Sequence, residues 1–247
     1  MSEVGPLRTG HRVDIPITVA RQAKEWYQID LQSTEFVESI AELEQLCTQQ
    51  GKHLVVRLWC VAEFRPARQN NGCPPGYLMG YQMLRERFSD IPAVALIRDP
   101  IDIWISNGCK RDFFAWYRNY IDQVFQSGVP IFRYEDFCVD AVSSFKKICR
   151  SLKLPYSEDF LNFSSFNFVR GDMMVPGGSR GSKLTHVENF RRRQIATADI
   201  RWVDRCEDMK QANRTANYPL MYSGREREGM HKRIIAEIRY VRRVIGL

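Results

Sequence analysis

Three short apolar runs, HLVVRLWCV (53–61), PAVALIR (92–98) and VPIFRY (129–134), are separated by stretches whose apolar residues recur at helical period. That alternation constrains the fold more than any other feature. Strands joined through helical crossovers pair in parallel, and right-handed crossovers lay helices over both faces of the sheet. The expected architecture is therefore α/β, with a central, mainly parallel sheet flanked by helices. A first helix is read over 34–50, TEFVESIAELEQLCTQQ, with Phe36, Ile40, Leu43 and Leu46/Cys47 on one face, Thr34 as N-cap and Gly51 just past the end. The run 53–61 reads as a buried strand. Residues 77–88 are helical, 101–127 keep helical period up to Gly128, and 140–153 form an amphipathic helix with Val142, Phe145, Ile148 and Leu152 inward. Beyond 155 the pattern loosens into a Phe-, Ser-, Gly- and Asn-rich segment. Helices return at 187–195, 198–214 and 225–245, giving a helical C-terminal part.

The 247 residues suit one domain, 1–247, and 44% apolar residues are enough for a core that needs no disulfide or metal staples. Seven Cys are scattered singly, without CxxC or Cys/His spacing, which favours free thiols in a reducing compartment over a disulfide framework or a zinc site. Residues 1–20 lack the apolar core of a signal peptide, and no stretch is long enough to span a bilayer. A cytoplasmic location without a membrane span is expected. The net charge of +7 suits nucleic acid, an anionic membrane surface or a polyanionic small molecule, and charge alone does not choose among them. The basic stripe of 225–245 reads as a solvated face packed on a core, with a nucleic-acid or membrane arm as the alternative.

In parallel sheets ligands sit at the carboxyl ends of strands, so a charge that ends an apolar run is informative. Arg98 ends PAVALIR, Asp99-Pro100 turn the chain, and a helix runs through Ser106, eight residues after the Arg. A strand-end guanidinium and a hydroxyl two turns into the helix suit one phosphate, whose geometry favours the fork of Arg. The whole segment, VALIRDPIDIWIS, resembles the 3′-phosphate motif of the PAPS-dependent sulfotransferase family. VPIFRYEDFCVDAVSSFKKICRSLKLP (129–155) is similar to the segment that follows the next strand in that family, with its YED signature.

The resemblance implies a P-loop-type three-layer fold and transfer of the sulfuryl group of PAPS to a small-molecule acceptor, with PAP released, and it implies no metal. It assigns Arg98 and Ser106 to the 3′-phosphate and Tyr134 to the neighbourhood of the adenine nucleotide. The 5′-phosphosulfate cradle it calls for is matched by Gly5-Pro6-Leu7-Arg8-Thr9-Gly10, with His11 and Arg12 where small hydroxyl residues are usual. Arg8, Thr9, Gly10, His11 and Arg12 are thus cofactor candidates, and Arg8 is the group to stabilise the leaving phosphate oxygen. Only about four residues precede Gly5, so the first strand is short or the start of the sequence incomplete. Arg180, Gly181 and Lys183 resemble a late R-K-G loop closing on the 3′-phosphate.

The base is open. Arg57-Leu58-Trp59 align with the family's K-T-H signature and bring no His. The candidates are His11, the early-helix acids Glu35 and Glu38, and Glu63 just past the second strand, with an acceptor that needs no protein base as the remaining alternative. Trp59, Trp104, Phe113, Trp116 and Tyr117 are either an aromatic acceptor wall or core. No nucleic-acid partner is expected, and the chain is a monomer or homodimer. The competing functions are a P-loop nucleotide kinase-like phosphotransferase, disfavoured by the lack of GxxxxGK[ST], and a non-catalytic nucleotide- or RNA-binding module.

Overall fold

The expected parallel pairing is present in two short strand pairs. In the computed structural model, which describes residues 3–4, 19–58, 64, 78–162 and 195–223, β1 (Glu3–Val4) pairs with β2 (Arg57–Leu58) in the register Glu3↔Arg57 and Val4↔Leu58. Strand β3 (Ala95–Ile97) pairs with β4 (Ile131–Arg133), also in parallel. The described residues are otherwise helix-rich, a mixed α/β arrangement. Contacts group the chain into two units, Met1–Asp99 with Gln123–Phe190, and Pro100–Asp122 with Arg191–Leu247.

In the first unit, α1 (Val19–Tyr27), α2 (Phe36–Gln49) and α3 (Met79–Arg87) bury Val19, Ile40 and Leu84 together. Leu31, Phe36, Leu43, Leu54, Val56, Leu58, Phe88 and Ile91 pack partly buried around them. The helical face read over 34–50 is therefore the one that packs. Its start differs from expectation: the N-cap is Glu35, which makes no side-chain cap bond, and Thr34 is exposed. The carboxylate of Glu42 does the holding instead, reaching back to accept the backbone N–H of Gln32 at 2.9 Å, while Ser39 Oγ donates to the Ser33 carbonyl at 2.9 Å. Gly51 follows the helix at φ +65°, a conformation that costs glycine little.

Strand β2 is shorter and less buried than the run 53–61 implied, with residues 53–56 outside any strand and Arg57 exposed. Leu96 in the middle of β3 is likewise more than half exposed. Among the described residues each pair has two strands and an open edge on either side, so these positions lack the two-sided burial of a wide parallel sheet. After β4 come α6 (Tyr134–Val139) and α7 (Ala141–Ser151). Asp140 caps α7 by accepting the N–H of Ser143 at 2.9 Å. Phe145 of α7 meets Phe160 of the 3₁₀ turn Glu158–Leu161, ring centroids 4.2 Å apart. Cys149 is the fully buried residue of this helix, while Val142, Phe145, Ile148 and Leu152 are half-buried.

The second unit replaces the continuous helix expected over 101–127. The chain forms α4 (Pro100–Ser106) and then α5 (Phe113–Gln126), which crosses the division after Asp122. The break lies at Gly108 (φ +77°) and Cys109 (φ +55°), both left-handed and incompatible with a continuing α-helix. It lets the Trp104 indole N–H donate to the Lys110 carbonyl at 2.9 Å. Trp104 stacks on Phe114 and Trp202, and Phe113 stacks on Tyr117. The segment 198–214 is also divided, into α8 (Thr197–Val203) and α9 (Glu207–Ala216). Buried Asp204 ends α8 and turns its carboxylate to the backbone N–H groups of Tyr222 and Ser223, at 2.7 and 3.0 Å.

Candidate functional site

The register Ile97↔Arg133 brings β3 and β4 to their carboxyl ends side by side. The next residue on each strand, Arg98 and Tyr134, therefore emerges where ligands of parallel sheets bind. The guanidinium carbon of Arg98 lies 4.8 Å from the centroid of the Tyr134 ring. Tyr134 opens α6 directly from the strand, so its ring orientation is set by a helix start rather than by a loose loop.

One residue further on each side there is a second tie. Asp99 is buried, and its backbone N–H donates to Glu135 Oε1 at 2.8 Å. The amide–carboxylate link constrains the turn after β3, and the ring contact orients the side chain that the turn carries.

Cys138 follows Tyr134 by four residues on α6, the spacing that puts two side chains on one helical face. Burial pushes its thiol above the usual cysteine range, and the charge of Glu135 pushes the same way. A side-chain hydrogen bond with Tyr134 and the charge of Arg98 pull it down by less. The strand ends thus carry a cation, a carboxylate, a phenol and a thiol that sense one another.

Ser106 closes α4 in the other unit, is exposed, and its hydroxyl donates to the Ile103 carbonyl at 2.8 Å. Glu35 is the exposed N-cap of α2. Glu38 pairs with Arg87 at 3.6 Å, both largely exposed, and lines an open hollow of about 500 Å³ with Gln32, Glu42, Glu44 and Phe88. Arg8, Thr9, Gly10, His11, Arg12, Trp59, Glu63, Arg180, Gly181 and Lys183 lie outside the described residues. Strand β1 is Glu3–Val4, and Gly5 follows it in the sequence. Of the two readings of the aromatic residues, core is the one observed: Trp104, Phe113 and Tyr117 are fully buried and Trp116 nearly so, packed on neighbouring rings. Among the described residues no group of three His, Cys, Asp or Glu is placed to hold a metal, and no helix is long and apolar enough to cross a membrane.

Sequence reading missed Glu135, Asp99 as its partner, and Cys138. Glu135 stood in the quoted YED triplet, but only the tyrosine carried a role there. A carboxylate serving a backbone amide 36 residues away leaves no spacing signal. No family model, curated protein or solved structure matches the chain.

Proposed function

We propose that this chain is a PAPS-dependent sulfotransferase acting on a hydroxyl or amine of a small molecule, built on a P-loop-type three-layer fold as a single sulfotransferase-like domain. The observation that carries the reading is the Arg98 guanidinium held over the Tyr134 ring at the carboxyl ends of a parallel strand pair. A fork of N–H donors beside an aromatic face suits a nucleotide that bears a phosphate on its ribose. The parallel β1–β2 pair, with β1 ending just before GPLRTG, supports a phosphate cradle at the first strand-to-helix turn.

In this reading Arg98 takes the 3′-phosphate with Ser106, Tyr134 lies by the adenine nucleotide, and Arg8, Thr9, Gly10, His11 and Arg12 take the 5′-phosphosulfate. Arg180, Gly181 and Lys183 close on the 3′-phosphate. The acceptor oxygen or nitrogen forms a bond to sulfur as the bond from sulfur to the bridging oxygen of the 5′-phosphate breaks. The acceptor's proton passes to a base, for which His11, Glu35, Glu38 and Glu63 are the candidates. Arg8 offsets the charge that develops on the leaving oxygen, donating hydrogen bonds but not a proton because a guanidinium stays protonated. The work is placed in the cytoplasm, with a small-molecule acceptor and no nucleic-acid partner.

Calorimetry tests the reading. PAP is expected to bind without Mg²⁺, and Arg98→Ala is expected to weaken it by at least about tenfold, the value of one charge-assisted contact. Adenosine 5′-phosphosulfate, which lacks the 3′-phosphate, is expected to be spared. Equal losses for the two ligands would remove Arg98 from its role, and a Mg²⁺-dependent preference for ATP would favour the kinase-like alternative.

A further inference from the structure

The hydrogen bond between Asp99 and Glu135 gives the second letter of the YED triplet a task. We infer that Glu135 is a positioning residue for the 3′-phosphate anchor: its carboxylate clamps the turn after β3 so that Arg98 presents its guanidinium at one fixed height above Tyr134. This inference rests on the sulfotransferase reading of Arg98 given above.

Arg98 stands between two fixed points. On its N-terminal side Ile97 is in register with Arg133 in the β3–β4 ladder. On its C-terminal side the Asp99 N–H is bound by Glu135 Oε1 at 2.8 Å. Both fixed points come from the same short segment, Arg133 to Glu135, so strand end and helix start act as one jaw. The side chain held between them rests on Tyr134, the middle residue of that jaw, at 4.8 Å. Asp99 is a buried residue whose backbone N–H needs an acceptor, and without Glu135 the turn must shift to find one. A shift of the turn moves the base of the Arg98 side chain. A two-pronged contact to phosphate depends on geometry as well as charge, so its directional part is lost first. Glu135 itself bears the wrong charge to touch a phosphate. Its role is therefore expressed through Arg98, and it is expected to depend on an acceptor oxygen rather than on negative charge.

The test uses the full chain and two probes, adenosine 3′,5′-bisphosphate and adenosine 5′-monophosphate, whose affinity ratio isolates the 3′-phosphate. Glu135→Ala is expected to lower that ratio by about tenfold, the scale of one hydrogen bond to a charged group. Glu135→Gln keeps an acceptor oxygen and is expected to restore the ratio to within about threefold. A loss of folded protein alone lowers both affinities together and leaves the ratio unchanged. Hydrogen exchange of the Asp99 amide in the ligand-free protein is expected to quicken most in Glu135→Ala and by less in Glu135→Gln. A wild-type ratio near one would overturn the sulfotransferase reading, and this inference with it. A high wild-type ratio that Glu135→Ala leaves unchanged, or that Glu135→Gln lowers as far as Ala does, would overturn the positioning role alone.

Discussion

Arg98 sits with its guanidinium carbon 4.8 Å above the ring of Tyr134, two side chains brought together from the ends of neighbouring parallel strands. The contact covers one face of a planar cation, which limits the directions in which the N–H fork can point.

Removing the ring is expected to be a graded loss rather than a switch. Tyr134→Leu should weaken adenosine 3′,5′-bisphosphate binding about two- to fivefold, the equivalent of a partly exposed cation–π contact. Tyr134→Phe keeps the ring under Arg98 and should stay within about twofold. Titration calorimetry on the two variants reads the difference, and an equal loss in both would assign the effect to the phenol hydroxyl instead.

Cys138 reports on the same cluster through pH. Its thiol is raised by burial first and by Glu135, and lowered by Tyr134 and Arg98. The thiolate is the reactive form, so the pH midpoint for alkylation of Cys138 by iodoacetamide should lie above that of an ordinary cysteine. Removing a group that lowers the value raises the midpoint further, so Arg98→Ala should move it up. Removing the charge of Glu135 should move it down. Peptide mass spectrometry of the alkylated protein separates Cys138 from the other thiols. A midpoint at or below the ordinary cysteine value would contradict the burial and charge pattern around it.

Stability of the second unit should depend on Asp204. Its carboxylate accepts the N–H groups of Tyr222 and Ser223, the former buried, at 2.7 and 3.0 Å. Asp204→Ala leaves both without that acceptor and should cost about 2–3 kcal/mol. Asp204→Asn retains one oxygen and should cost roughly half as much. Urea unfolding followed by tryptophan fluorescence measures both, aided by Trp104 and Trp202 stacked in the same unit. A change under about 0.5 kcal/mol for Ala, the range of an ordinary surface substitution, would show that water replaces the lost carboxylate.

Local pattern went furthest where a segment carries its own signal. The packed face of α2 was legible because Phe36, Ile40 and Leu43 repeat at helical period, and its end because Gly51 adopts a left-handed turn. The strand ends were legible to within one residue, because the runs 92–98 and 129–134 close at Arg98 and Tyr134 while the strands end at Ile97 and Arg133. The division of 101–127 was not. Helical period persists through Gly108 and Cys109, and only the Trp104 indole bonded to the Lys110 carbonyl shows why the chain turns there. The aromatic residues of α4 and α5 were equally ambiguous, since a ring that packs on Trp202 and a ring that lines a pocket look alike in sequence.

By itself, then, the sequence determined which residues end the strands and which types of side chain stand there: a guanidinium after β3, a phenol and a carboxylate after β4. Tertiary structure alone decided that these meet. Pairing of β3 with β4 in the register Ile97↔Arg133 closes a loop of some three dozen residues and sets Arg98 over Tyr134 and the Asp99 amide on Glu135. Register is a property of two strands together, fixed by ladder hydrogen bonds and by which faces find cover, and neither strand carries it alone.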